Sequence, residues 1–336
     1  MNFLRVTKRH FILIHVCLSF AANADPTPSI KASPLPDLPL ATIHADSQTI
    51  KGRDGWYFLG TEIEHLLTAK EQIPQVAESP AINEIRNYAD ALKALGIKLV
   101  LMPIPEKSLI RMDGLIDTSE LSEAKGYSRA THTYLDELNK QGIEFIDLYD
   151  KLTQTEDPIY CKTDSHFTPK TAARISQCLI KYITEQVPEI PIENQAVDLE
   201  SQSIVSTITI RGDLVGDDVQ ESLELLTAPN IKSAANPIGK ITQSPILLMG
   251  DSHLLVYHQG DDMHARGAGI VDHLTSALGH PPDVISSKGD GINAPRIKLY
   301  RDLKKNPDLI NNKKLVVWCF AARNFSQQKW NAVKLR

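Results

Sequence analysis

Two short segments carry residue types that perform acyl chemistry. In Ile246-Leu247-Leu248-Met249-Gly250-Asp251-Ser252-His253, an apolar run reads as a buried strand that stops at Gly250, with a helix beginning just beyond and Ser252 on the turn between them. A serine on such a turn has an exposed hydroxyl, and its N–H at a helix N-terminus is placed to stabilise an oxyanion. The ordinary alternative is that Asp251 and Ser252 are helix caps. In Cys161-Lys162-Thr163-Asp164-Ser165-His166-Phe167-Thr168-Pro169, Asp164 and His166 stand two apart, just ahead of a predicted helix. A serine hydroxyl is a poor nucleophile until a base takes its proton, and that base needs a carboxylate to hold its tautomer. Asp164 and His166 supply both from one turn, although alone they read equally as a turn residue and a surface histidine. Taken together, the segments give a nucleophile (Ser252), a base (His166) and an orienting carboxylate (Asp164). Two-step acyl transfer through a covalent serine ester follows from that set, and it requires no metal or nucleotide cofactor.

Other candidates are weaker. Lys107 and Arg211 are candidate contacts to a polymeric substrate and Phe167 a candidate platform for a sugar ring; as single residues the charges read equally as surface and the aromatic as core, like Trp56 and Trp318. His253, His258, Asp261, Asp262 and His264 are crowded, but their spacing fits no tight ligand pattern, and a polar loop explains them better than a metal.

The elements that must position these residues follow a repeating pattern. Ser79-Pro80 opens a helix whose apolar positions Ile82, Ile85, Ala89, Leu92 and Leu95 share one face, and Gly96 ends it. Ile97 to Met102 then reads as a buried strand. A helix over 128–140, Gly142 as terminator and a strand from Ile143 to Ile146 repeat the unit. After a less regular stretch at 188–240, which contains a Thr/Ile-rich strand from Ile204 to Ile210, come strands at Pro245–Met249, Asp283–Ser286 and Lys314–Phe320. Helices are expected at His253–His258 and Ala294–Lys304, and a turn and strand at Gly52–Leu59. Helices alternating with short, continuously apolar strands predict an α/β domain with a mostly parallel sheet covered on both faces.

Ahead of that domain, Arg5, Lys8 and Arg9, the apolar run Phe11–Ala21 and Ala22-Asn23-Ala24 read as a cleavable secretory signal over 1–24, with an uncleaved anchor as the alternative. Five prolines between Asp25 and Leu40 suit an extended linker over 25–45, leaving 46–336 as the folded domain. The 36 basic and 41 acidic residues give a net charge of −5, and loss of three basic residues with the signal takes it to −8. That balance disfavours nucleic acid and requires local Lys or Arg wherever an acidic polymer binds. In the oxidising compartment that a signal implies, Cys161 and Cys178 are a candidate disulfide across a short loop, while Cys319 reads as a small buried hydrophobe.

The order Asp-x-His before Gly-Asp-Ser resembles the alginate O-acetyltransferase family of periplasmic proteins, whose SGNH-hydrolase-like, flavodoxin-like fold typically carries Asp-x-His-Trp-Thr and a later Gly-x-Ser, permuted relative to ordinary SGNH esterases. The resemblance runs from Asp54-Gly55-Trp56 through Pro103-Ile104-Pro105-Glu106-Lys107 and Arg211-Gly212-Asp213-Leu214 to Trp318. It departs at Phe167, where the family usually has Trp, and at His253, where an aromatic is common. By that resemblance, Ser252 is the nucleophile, His166 the base and Asp164 its partner. Ordinary SGNH enzymes add a Gly N–H and an Asn side chain to the oxyanion hole, which implies Gly289 or Gly291 and Asn324 or Arg323; turn glycines and a solvated strand end explain those four equally well. The resemblance also implies a periplasmic location, a polysaccharide acceptor and a membrane-bound O-acyltransferase that delivers the acetyl group. A carbohydrate-binding module beyond the catalytic core is not expected in the 12 residues after Asn324. The rival readings are a carbohydrate acetylesterase using the same triad and a non-catalytic scaffold of a polysaccharide secretion complex.

Overall fold

The computed structural model describes residues 33–34, 48–116, 124–193, 204–216, 223–230, 241, 244–289 and 291–336. The expected signal, and all of the linker except Ser33–Pro34, lie outside the described residues.

A small sheet opens the chain: β1 (Ser33–Pro34) runs parallel to β2 (Thr49–Lys51), which pairs antiparallel with β3 (Tyr57–Leu59). Next come α1 (Gly60–Gln72) and α2 (Pro80–Lys93). Ser79 Oγ caps α2 by accepting from Ile82 N at 3.3 Å; Ile82, Ile85 and Leu92 are buried, and Gly96, at φ 72°, lies just past the helix end. The central strand β4 (Lys98–Ile104) leads to the short α3 (Lys107–Ile110), then to α4 (Ala124–Lys140), the edge strand β5 (Glu144–Phe145) and α5 (Tyr149–Thr153). The loop carrying Asp164 and His166 precedes α6 (Pro169–Gln186), capped by Thr168. The irregular stretch contains an antiparallel hairpin of β6 (Ile204–Arg211) and β7 (Leu223–Asn230). The chain closes with β8 (Ile246–Gly250), α7 (Ile270–Leu278), β9 (Asp283–Ser286), α8 (Asn293–Lys305), β10 (Leu315–Ala321) and α9 (Asn324–Gln327).

The main sheet has the order β5-β4-β10-β8-β9, and every pairing in it is parallel. Every residue of β8 and β10 is buried, as a strand covered on both faces requires. The two-residue period of the strands divides the core. Val100, Met102, Leu248, Val317 and Cys319 pack on the side of α6 and α7, whereas Leu99, Leu101, Met249, Trp318 and Phe320 pack against α2, α4 and α8. Trp56 and Trp318 are both core residues.

One expected element does not form. Ser252–Leu254 makes only a 3₁₀ turn where the sequence predicts a helix to His258. Tyr257 takes a left-handed φ of 59° that no helix tolerates, and its hydroxyl donates to Phe167 O at 3.0 Å. That contact draws the segment out of helical geometry and across to the His166 loop.

Candidate active site

Parallel strands deliver their carboxyl ends to one edge of the sheet, which is where loops converge on a ligand crevice in such folds. Here β4 ends in Pro105-Glu106-Lys107, β8 in Asp251-Ser252 and β10 in Ala322-Arg323-Asn324. Gly250 lets β8 pass close to β10, since a Cβ there would lie 2.2 Å from Cys319 O. Asp251 then locks the turn: its Oδ2 accepts from Ala321 N at 2.8 Å, and its Oδ1 accepts from His253 N at 3.1 Å and His253 Nδ1 at 2.8 Å. The next residue, Ser252, is therefore held on a rigid corner. Its N–H donates to no group among the described residues.

The opposing loop is a tight excursion, closed by the Tyr160–Phe167 bridge and by Cys161 N donating to His166 O at 3.3 Å. It carries His166 to Ser252 across 86 positions of sequence, with Nε2 2.8 Å from Ser252 Oγ. On its other side, His166 Nδ1 lies 2.7 Å from Asp164 Oδ1, which also accepts from His166 N at 2.8 Å. Nδ1 therefore carries a proton toward the carboxylate, and Nε2 is free to accept from the serine. Asp164 Oδ2 accepts from Asp213 N at 3.1 Å and from His264 Nε2 at 2.8 Å.

Burial alone would lift the Asp164 pKa, but His166 beside it and the N–H groups of His166 and His264 outweigh burial, so the carboxyl sits well below the usual carboxylate range. Burial pulls His166 down; the charge and hydrogen bond of Asp164, reinforced by Asp213 and Asp251, win and raise it above the ordinary histidine value. His253 goes the opposite way: burial dominates, Asp251 opposes it, and the result is a depressed pKa. The His253 ring stands edge-on to His166 at 5.1 Å between centroids and tilts against Phe167 at 5.5 Å.

Three expectations are corrected by burial and bonding. Lys107 is 1% exposed and faces no solvent; its Nζ donates to Lys162 O at 3.0 Å and Asp164 O at 2.8 Å, over the rings of Trp56 and Phe58. Desolvation lowers its pKa to about 8. Phe167 is fully buried, so it offers no stacking surface to a sugar. Cys161 and Cys178 are free, as is Cys319; the Cys161 Sγ lies 3.3 Å from the Tyr257 hydroxyl rather than against another sulfur. Arg211 is exposed at the end of β6. Gly289 and Gly291 follow β9 with positive φ, and Arg323 and Asn324 follow β10; Arg323 Nη1 lies 3.5 Å from Glu62 Oε1.

Several site residues lay beyond the sequence reading. Asp213 accepts from Ser165 N at 2.7 Å and Ser165 Oγ at 2.6 Å, and Glu224 on β7 accepts from Lys162 N at 2.7 Å and from Thr163 N and Oγ1. The hairpin thus clasps the loop that carries Asp164 and His166. Asp251 and His253 repeat the Asp-x-His spacing of Asp164 and His166, a signal visible in sequence. Asp164, His166 and Asp213 place ligand atoms within 4.8 Å of one another, with Nδ1 of His166 already committed to Asp164.

A serine, an imidazole and a carboxylate in hydrogen-bonded sequence, at the carboxyl edge of a parallel sheet under helices, make this an α/β protein with the arrangement that serine-based acyl chemistry requires. The SGNH-hydrolase-like class shares that constellation with other folds. Residues 49–321 match the family model of the SGNH hydrolase-like domain of the acetyltransferase AlgX, and the chain belongs to that family. Among solved structures, the O-acetyltransferase domain of Pseudomonas putida AlgJ is 19% identical with a TM-score of 0.54, over 84% of this chain and 93% of that one. Pseudomonas aeruginosa AlgX is 16% identical with a TM-score of 0.56, over 85% of this chain and 67% of that one. At these identities the likeness is one of fold. No curated protein sequence matches the chain.

Proposed function

We propose that the protein is an exported O-acetyltransferase that acetylates an exopolysaccharide through Ser252, His166 and Asp164. The observation that carries this reading is the continuous path from Asp164 Oδ1 through the His166 ring to Ser252 Oγ, with contacts of 2.7 and 2.8 Å. Membership of an acetyltransferase family supports acetyl as the group moved. In the first half-reaction, His166 Nε2 takes the Ser252 proton as Oγ attacks the acetyl carbonyl of the donor. The N–H of Ser252, without a partner among the described residues, is the donor offered to the developing oxyanion, helped by donors at the ends of β9 and β10, from Gly289 or Gly291 and Arg323 or Asn324. Collapse expels the donor's leaving group, which receives the proton from His166. In the second, His166 deprotonates a sugar hydroxyl, which attacks the serine ester and restores Ser252. The donor is expected to arrive through a membrane-bound O-acyltransferase, and the site of action is the periplasm.

The test is turnover of a chromogenic acetyl ester by the purified protein and its Ser252→Ala variant, with and without oligosaccharide acceptors. Acetylated oligosaccharide formed only by wild type supports transfer. Free acetate alone, whatever the acceptor, makes the protein an esterase, and ester turnover that persists in Ser252→Ala removes the serine from the mechanism.

A further inference from the structure

The catalytic carboxylate of Asp164 is held by more than its histidine. Oδ1 accepts from the backbone and ring of His166; Oδ2 accepts from Asp213 N and, at 2.8 Å, from Nε2 of His264, a hundred positions away in sequence. The His264 side chain is only 11% exposed. Its backbone sits at φ 70°, ψ −65°, and Ala265 N donates to Met263 O at 3.0 Å, two residues back. Those values define a γ-turn of the rare, strained kind. The surrounding loop is equally contorted, with left-handed φ at Tyr257, Gly260, Asp261 and Gly267. It is pinned by Tyr257 N to Met263 O at 2.9 Å, Ala268 N to Tyr257 O at 3.0 Å, and Lys288 to Asp262 at 2.6 Å. A strained residue persists only where its surroundings over-determine it, and such residues gather at functional sites. What this loop achieves by its strain is to aim one imidazole at the oxygen of Asp164 that His166 does not use.

We propose that His264 is a positioning residue of the acyl-transfer site: it shares Asp164 with His166, fixes the rotation of the carboxylate, and draws off part of its charge. The inference rests on the acyltransferase reading above. With Oδ2 occupied, Asp164 presents Oδ1 to His166 Nδ1 in one orientation, which aims Nε2 at Ser252. The N–H of His264 also limits how firmly Asp164 holds the proton that His166 receives from the serine. Removing that donor concentrates charge on Oδ1, stabilises the imidazolium, and carries the acid limb of activity to higher pH. The other groups that face this pair are Asp213, Asp251 and His253 around His166, Lys107 and Cys161 behind Asp164, and Tyr257 and Asp262 beside His264.

The experiment measures kcat and KM for a chromogenic acetyl ester from pH 5 to 9 in wild type, His264→Gly, His264→Gln and Ser252→Ala, with thermal unfolding of each. His264→Gly removes the imidazole and suits the positive φ, so it is expected to fold; His264→Gln retains an N–H donor near the position of Nε2. Loss of one charge-assisted hydrogen bond predicts a roughly tenfold or larger fall in kcat for His264→Gly, with KM within about threefold. Its acid limb moves up by about half a pH unit, while His264→Gln stays within about threefold of wild type with its limb in place. A His264→Gly enzyme with wild-type kcat and an unmoved limb overturns the proposal. So does an equal fall in both variants with no movement of the limb, which is the mark of a purely structural residue. Ser252→Ala separates the levels: if it retains turnover, the acyltransferase reading itself fails, and if it is dead while His264→Gly is normal, only the role of His264 is lost.

Discussion

Replacing Gly212 by alanine tests whether the β6–β7 hairpin holds the Asp164–His166 loop in place. A Cβ on Gly212 would stand 1.9 Å from Thr163 O, 2.0 Å from Thr163 C and 2.4 Å from Asp164 N. All three are backbone atoms, so no side-chain rotation relieves the clash. Ordinary contact begins near 3.4 Å, so the two segments must part by about 1.5 Å. At that separation Leu214 N loses Thr163 O, Asp213 N loses Asp164 Oδ2, and both bonds from Ser165 to Asp213 are broken or badly stretched. At about 1 kcal/mol for each net hydrogen bond, the cost is about 2–4 kcal/mol. That corresponds to a fall in Tm of roughly 3–7 °C for a domain of this size. The catalytic penalty is larger in proportion, because displacement of a reacting group by about 1 Å costs on the order of a hundredfold in rate. The assay pairs ester kcat/KM with thermal unfolding, using Gly142→Ala as the control. Gly142 has φ 74° and open space for 4 Å around the position a Cβ would take, so that variant loses about 1 kcal/mol and no activity. A Gly212→Ala protein within threefold of wild-type kcat/KM and within 2 °C of its Tm would refute the argument that this close approach sets the Asp164 loop.

Two further substitutions probe the groups that support the proposed triad from behind. Lys107→Met leaves the carbonyls of Lys162 and Asp164 without their buried donor; urea unfolding should show a loss of about 2–3 kcal/mol, with a fall in kcat at constant KM as the Asp164 loop loosens. Asp251→Asn removes the charge that holds His253 and Ala321, and should cost about 3 kcal/mol at pH 7. Burial would raise Asp251, but His253, the Ala321 N–H and Arg323 hold it far below the ordinary carboxylate value. A depressed carboxylate adds stability that is present above its unfolded pKa, near 4, and drains away as pH falls toward the folded value. The gap between wild type and Asp251→Asn should therefore narrow below about pH 4, and a deficit of equal size at pH 3 and pH 7 contradicts the assignment.

The sheet was legible in sequence because its strands are continuous apolar runs, and the end of each lies within two residues of the observed boundary: Lys98–Ile104 against Ile97–Met102, Ile246–Gly250 against Pro245–Met249, Leu315–Ala321 against Lys314–Phe320. Helix α2 was legible through its cap and its apolar face. Asp164, His166 and Ser252 stood out as candidates because Asp-x-His and Gly-Asp-Ser are compact local patterns. What stayed hidden depends on contacts distant in sequence. Lys107 looks like a surface charge until the carbonyls of Lys162 and Asp164 close over it, and His264 has no sequence neighbour to mark its bond to Asp164. The expected helix after Ser252 fails for the same reason. Its propensity is overridden by the Tyr257 hydroxyl reaching Phe167 O from a left-handed backbone.

The site uses the same local device twice and obtains two different imidazoles. In Asp164-Ser165-His166 and in Asp251-Ser252-His253, the aspartate Oδ1 accepts both the backbone N–H and Nδ1 of the histidine two residues on. Local geometry cannot separate them, so their surroundings must. His166 also feels Asp213 and Asp251, which help Asp164 outweigh burial, and is raised; for the equally buried His253 burial outweighs Asp251, with neighbouring His166 and Arg323 pushing the same way, and it is depressed. With ring centroids 5.1 Å apart, two imidazolium ions would repel strongly, so the pair favours holding a single added proton. Pairs of titratable groups whose environments drive their pKa values apart mark the division of labour in a site. On the proposed reading His166 is the base, and His253, with its proton affinity lowered, stands edge-on against the ring of that base and competes less for its proton.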